Sequence, residues 1–76
     1  MNEITLYTSS TCPYCVMARN FLQSQGLEFK EINIENDPLA AQELVKATGQ
    51  FGVPQINVNG KWIVGFNPGA ILQYVK

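Results

Sequence analysis

The chain has 76 residues, five basic and six acidic side chains, a formal charge of −1 and no histidine, which excludes a Cys–His hydrolase, a histidine acid–base catalyst and a mixed Cys/His zinc site. Its cations, Arg19, Lys30, Lys46, Lys61 and Lys76, are scattered singly, so the basic surface that nucleic-acid binding requires is missing. No run of about 20 apolar residues would span a bilayer and no signal core is present, so the expectation is one reduced, cytoplasmic domain covering residues 1–76, without nucleic-acid or membrane partners and monomeric.

Residues 3–8, EITLYT, alternate β-branched and aromatic positions and predict a first strand that starts almost at Met1. Pro13 suits the opening turn of a helix over 14–25. That helix carries Met17, Ala18, Phe21 and Leu22 at helical spacing and has Gly26 placed to end it. Residues 28–34, EFKEINI, predict a second strand. Asp37 and Pro38 then cap a helix with Leu39, Ala40, Leu44 and Val45 that stops near Gly49. QINV, Asn59-Gly60 and KWIV form a hairpin signal, because Asn-Gly fits a two-residue turn of positive φ. Asn67 and Pro68 cap a closing helix with Ile71, Leu72 and Val75 inward. The predicted order is β-α-β-α-β-β-α, an α/β fold whose first unit is parallel and whose final hairpin is antiparallel.

Both cysteines, Cys12 and Cys15, fall in TSSTCPYC, where the first strand hands over to the first helix. A bridge between them closes almost no loop, so it would staple nothing. Two sulfurs supply half of a tetrahedral zinc set, and a structural metal would need a second copy. Metal carriers and zinc knuckles share the Cys-x-x-Cys pattern, and the place of this one at a helix start points to sulfur chemistry. Unpaired N–H groups and the positive end of a helix dipole point at Cys12, a position that favours thiolate over thiol. Cys15 lies one turn on, within reach of a disulfide, and Pro13 fixes the entry backbone. Cys12 is therefore read as the nucleophile and Cys15 as the residue that resolves its mixed disulfide.

YTSSTCPYC at 7–15, GVPQI at 52–56 and the Gly65 turn before the last helix resemble the glutaredoxin family of the thioredoxin-fold superfamily, over essentially the whole chain. The resemblance implies a thioredoxin-like fold with a four-stranded mixed sheet flanked by helices. It also implies a disulfide oxidoreductase without a tightly bound cofactor and with glutathione as co-substrate. It further implies a cis Val53–Pro54 bond facing the redox pair, which exposes the Val53 backbone for pairing with an extended peptide or glutathione. Pro13, Tyr14, Gln50, Val53, Pro54, Gly65, Phe66 and Asn67 are the binding residues carried over by position.

Glutathione-using members often carry a cation three residues before the first cysteine, where this chain has Ser9. They also place an Asp at the turn into the last helix, where this chain has Asn67 in GFNP. Without one such charge-assisted hydrogen bond, glutathione binds more weakly by about 1–3 kcal/mol. The GFNP turn is also similar to small redoxins that take electrons from thioredoxin reductase and serve ribonucleotide reductase. A metal or iron–sulfur carrier is the rival from another class. Tyr14, Phe51, Val53 and Phe66, with Val16, are candidates for an apolar groove beside the thiols. Trp62 is read as core or sheet cover, and Arg19 as part of a solvated helix face.

Overall fold

The computed structural model describes residues 3–50 and 52–75. Seven elements run in the expected order: β1 (Ile4–Thr8), α1 (Pro13–Ser24), β2 (Lys30–Asn33), α2 (Pro38–Thr48), β3 (Gln55–Val58), β4 (Lys61–Val64) and α3 (Pro68–Tyr74). The sheet is ordered β2-β1-β3-β4. β1 pairs with β2 in parallel and with β3 antiparallel, and β3 pairs with β4 antiparallel. This is the mixed four-stranded sheet of a thioredoxin-like fold.

Strand alternation divides the apolar side chains between the two faces of that sheet. On one face Ile4, Leu6, Ile56, Val58 and Ile63 pack with Ala18 and Leu22 of α1 and Ile71 of α3. On the other, Tyr7 and Ile34 pack with Ala40, Ala41 and Leu44 of α2, and Trp62 covers the edge with its ring 5.3 Å from that of Tyr7. The expectation for Trp62 holds.

Local chemistry explains the joints. Asn59 and Gly60 adopt φ of 52° and 89°, the left-handed pair that a tight hairpin demands. Asp37 and Asn67 cap α2 and α3 by accepting from the Ala40 and Ala70 amides, and proline follows each cap.

Helix faces are where the structure departs from the periodicity. Met17, Leu39, Val45 and Leu72 are exposed, although the apolar spacing placed them with the core. On α1 the buried stripe is Cys15, Ala18 and Leu22, so Cys15 itself occupies the position that turns Met17 outward. On α2 the stripe is Ala40, Ala41 and Leu44, which lets the helix approach the sheet closely. Only Ile71 is fully inward on the seven-residue α3, with Ala70, Tyr74 and Val75 packing beside it. β2 is shorter than residues 28–34: the parallel register begins at Lys30 opposite Thr5, although Phe29 still packs against the core. Among the described residues no helix is long and apolar enough to cross a membrane.

Candidate active site

Cys12 is the N-cap of α1, with extended backbone at φ −108° and ψ 105°. Its carbonyl accepts the first helical bonds from the Cys15 and Val16 amides, and its Sγ accepts from the Cys15 amide at 3.3 Å. A sulfur held this way faces the unpaired amides at the helix start. Pro13 occupies the first helical position, where its missing N–H costs nothing. The preceding loop is tied to the end of β2: the Ser10 amide donates to Glu35 at 3.0 Å, and Asn33 Nδ2 donates to the Ser10 hydroxyl at 3.1 Å.

The two sulfurs are chemically unlike. Both are free thiols; Cys12 is half-buried, whereas Cys15 is 1% exposed. Burial, then the hydrogen bond between the two cysteine side chains, pushes the Cys15 thiol up to about 12, against a smaller lowering by the Ser9 backbone. Cys15 thus keeps its proton at neutral pH. Iodoacetamide at neutral pH is expected to add to one sulfur per native chain, mapped to Cys12 by mass spectrometry, and to both sulfurs in denaturant. Equal labelling of both in the native state would contradict this geometry.

The same shift makes a pH prediction. The folded-state value of Cys15 lies above its ordinary 9.0, so its contribution to stability is complete below about pH 9 and is lost as pH rises toward 12. The chemical-denaturation midpoint is expected to fall across that alkaline window, and to fall less in Cys15→Ala.

Across from α1, the Val53–Pro54 peptide is cis. The Cys12 thiol reaches the Val53 carbonyl at 3.5 Å, and Pro54 is buried with its own carbonyl accepting from the Gly65 amide at 2.9 Å. Gly65 makes that turn with φ of 85°. The structure therefore gathers Cys12, Pro13, Cys15, Val53, Pro54 and Gly65. Tyr14 is 60% exposed beside the sulfurs, and Val16 and Met17 extend the apolar surface of α1. Phe66 instead packs edge-on against Phe21, ring centroids 6.1 Å apart. Gln50 is exposed, and the Asn67 side chain is engaged in capping α3. Phe51, the remaining groove candidate, lies outside the described residues.

Arg19 makes a two-point ion pair with Glu31 at 2.7 and 2.6 Å, partly exposed on both sides. The Arg19 hydrogen bonds hold the Glu31 carboxyl below its ordinary range. A pair this open to solvent is worth about 0–1 kcal/mol. An open cleft of about 610 Å³, lined by residues such as Glu3, Phe29 and Lys30, sits where β1 begins, at the opposite end of that strand from the cysteines. Among the described residues no three His, Cys, Asp or Glu side chains converge as a metal-binding group.

Nothing in the sequence pattern singles out Gln55. It is fully buried, and its carboxamide bonds Thr48, Gln50 and Gly52. Strand alternation already sets it on the α2 face, out of phase with Ile56 and Val58, but a polar residue there reads as solvent-facing until the end of α2 is seen to cover it.

The family model described as Glutaredoxin matches residues 4–63. A glutaredoxin-like protein of a rubredoxin operon in Clostridium pasteurianum is 37% identical over 96% of this chain and 97% of its own length. Glutaredoxin 3 of Escherichia coli is 37% identical over 86% of this chain and 78% of its own length. Among solved structures, the glutaredoxin-like NrdH-redoxin of Escherichia coli superposes with a TM-score of 0.86 at 28% identity, covering 97% of this chain and 96% of that one. A glutaredoxin from Archaeoglobus fulgidus gives 0.85 at 26% identity, covering 97% and 86%.

Proposed function

The chain belongs to the glutaredoxin family, and from that premise we propose that it is a cytoplasmic thiol–disulfide oxidoreductase reducing protein disulfides or glutathione mixed disulfides through Cys12 and Cys15. The observation that carries this is the division of labour between the sulfurs: one accessible at a helix N-cap, the other buried one turn on and holding its proton.

In this mechanism the Cys12 thiolate attacks one sulfur of the substrate disulfide. A Cys12–substrate disulfide forms, and the displaced thiolate takes up a proton from solvent. Cys15 then gives up its proton and attacks the Cys12 sulfur. The Cys12–Cys15 disulfide forms, the second substrate thiolate leaves, and two electrons have passed from protein to substrate. Once Cys12 is bonded to substrate its sulfur no longer accepts the Cys15 hydrogen bond as a thiolate would, and deprotonation of Cys15 becomes easier. Replacing Cys15 by Ser is expected to stop the reaction after the first step. The Cys12-linked adduct should accumulate and be visible as an added mass that dithiothreitol removes.

A second reading concerns the electron source. The position three residues before Cys12 is Ser9, and the Asn67 side chain accepts from the Ala70 amide at 3.2 Å, so neither supplies a charged anchor for glutathione. This supports re-reduction of the Cys12–Cys15 disulfide by a thioredoxin reductase, with ribonucleotide reductase among the acceptors. The NrdH-redoxin neighbour is described by its thioredoxin-like activity profile. An NADPH-oxidation assay comparing glutathione and its reductase with thioredoxin reductase tests this reading. Turnover only with the second reductase is the expected result, and turnover only with glutathione rejects it.

A further inference from the structure

We infer that Gln55 is a positioning residue: its buried carboxamide holds the Gln50 and Gly52 carbonyls so that the Val53 backbone stands beside Cys12, ready for the main chain of a peptide substrate. The inference rests on the oxidoreductase reading above.

Gln55 opens β3, and its side chain is 0% exposed. Nε2 donates to the Gln50 carbonyl at 3.0 Å and to the Gly52 carbonyl at 2.9 Å, while Oε1 accepts from the Thr48 hydroxyl at 2.9 Å. Thr48 is the last residue of α2, so a single amide joins a strand start, a helix end and two carbonyls of the loop between them. From the other side Gly65 holds the Pro54 carbonyl. Val53 thus lies between the anchored Gly52 and Pro54 carbonyls, and its own carbonyl stands 3.5 Å from the Cys12 sulfur. A chain bonded to that sulfur is brought within reach of the residue 53 backbone.

Both amide hydrogens of Gln55 are used, and its oxygen shares the Thr48 hydroxyl proton with the Leu44 carbonyl, each 2.9 Å from Oγ1. Reversing the carboxamide would set its oxygen against the Gln50 and Gly52 carbonyls, so in a buried setting this orientation is fixed. Removing the carboxamide frees the Gln50 and Gly52 carbonyls to turn toward water, and the loop loses its fixed distance from Cys12. Apolar substitution at the neighbouring Ile56 would remove packing but leave these hydrogen bonds in place.

The experiment follows single-turnover oxidation of the fully reduced chain by two disulfides: insulin, which offers extended main chain, and hydroxyethyl disulfide, which has none. For Gln55→Met, of similar shape, the rate constant with insulin is expected to drop about tenfold or more while that with hydroxyethyl disulfide stays within about twofold. Thr48→Val should move the ratio in the same direction and Thr48→Ser should restore it, which keeps the test decisive if Gln55→Met folds poorly. An active wild type whose Gln55→Met and Thr48→Val variants keep the wild-type ratio, whether both rates hold or both fall together, overturns the clamp alone. A wild type inert toward both disulfides overturns the oxidoreductase reading and the clamp with it.

Discussion

Cys12→Ser is expected to abolish disulfide reduction, by on the order of a thousandfold or more, while leaving the fold intact. The two halves of that statement come from different physics. A serine hydroxyl stays protonated at neutral pH and does not attack a disulfide sulfur, so the first bond never forms. As an N-cap, however, serine is among the preferred residues, and its Oγ would accept from the residue-15 amide where Sγ accepts at 3.3 Å now. Circular dichroism and the denaturation midpoint should therefore match the wild type or improve slightly. Retained activity in this variant would mean that Cys15 can start the reaction alone, against its 1% exposure and its thiol pushed up to about 12. The contrast with Cys15→Ser, which completes one step and traps its adduct, assigns the order of the two sulfurs.

Much of this site is legible in the sequence because local rules and the fold agree on it. Pro13, the Asn59-Gly60 turn and the Asp37 and Asn67 caps are short-range features whose geometry depends on a few neighbouring residues, and each appears where the sequence puts it. The approach of Val53 and Pro54 to Cys12 is long-range. It is legible only through family resemblance, since no spacing rule joins two segments on different elements. Gln55 escapes for the opposite reason. Its residue type argues for water, and only the packed end of α2 reverses that.

The helix positions that periodicity misplaces share one cause. A twelve-residue helix with Cys15, Val16, Met17, Ala18, Phe21 and Leu22 carries more apolar residues than one stripe can bury, so periodicity alone does not choose among registers. Here the choice goes to the register that buries Cys15, and that burial raises its thiol. Packing and chemistry are coupled through the rotation of α1, because a helix turned to bury Met17 would carry Cys15 toward solvent.

That coupling can be measured on α1 with one pair of variants. Leu22 is fully buried among Ile4, Leu6, Ile56 and Ile71, whereas Met17 is 47% exposed, although apolar spacing assigns both to the core. Leu22→Ala is expected to cost about 2–5 kcal/mol, the range for a large-to-small change that leaves a cavity. A 76-residue domain commands roughly 4–11 kcal/mol in total at typical per-residue stability, so this one truncation removes a large share. Met17→Ala should stay within about 0.5 kcal/mol of wild type, as surface changes do. Paired urea titrations with unchanged slopes read the difference directly. The same variants report on the sulfur, because α1 docked through Leu22 is what keeps Cys15 from solvent. In Leu22→Ala, held where most molecules remain folded, iodoacetamide should begin to label Cys15, and in Met17→Ala it should not. Comparable losses of stability from the two truncations would mean that α1 sits rotated from the orientation described, and the protected state of Cys15 would lose its structural basis.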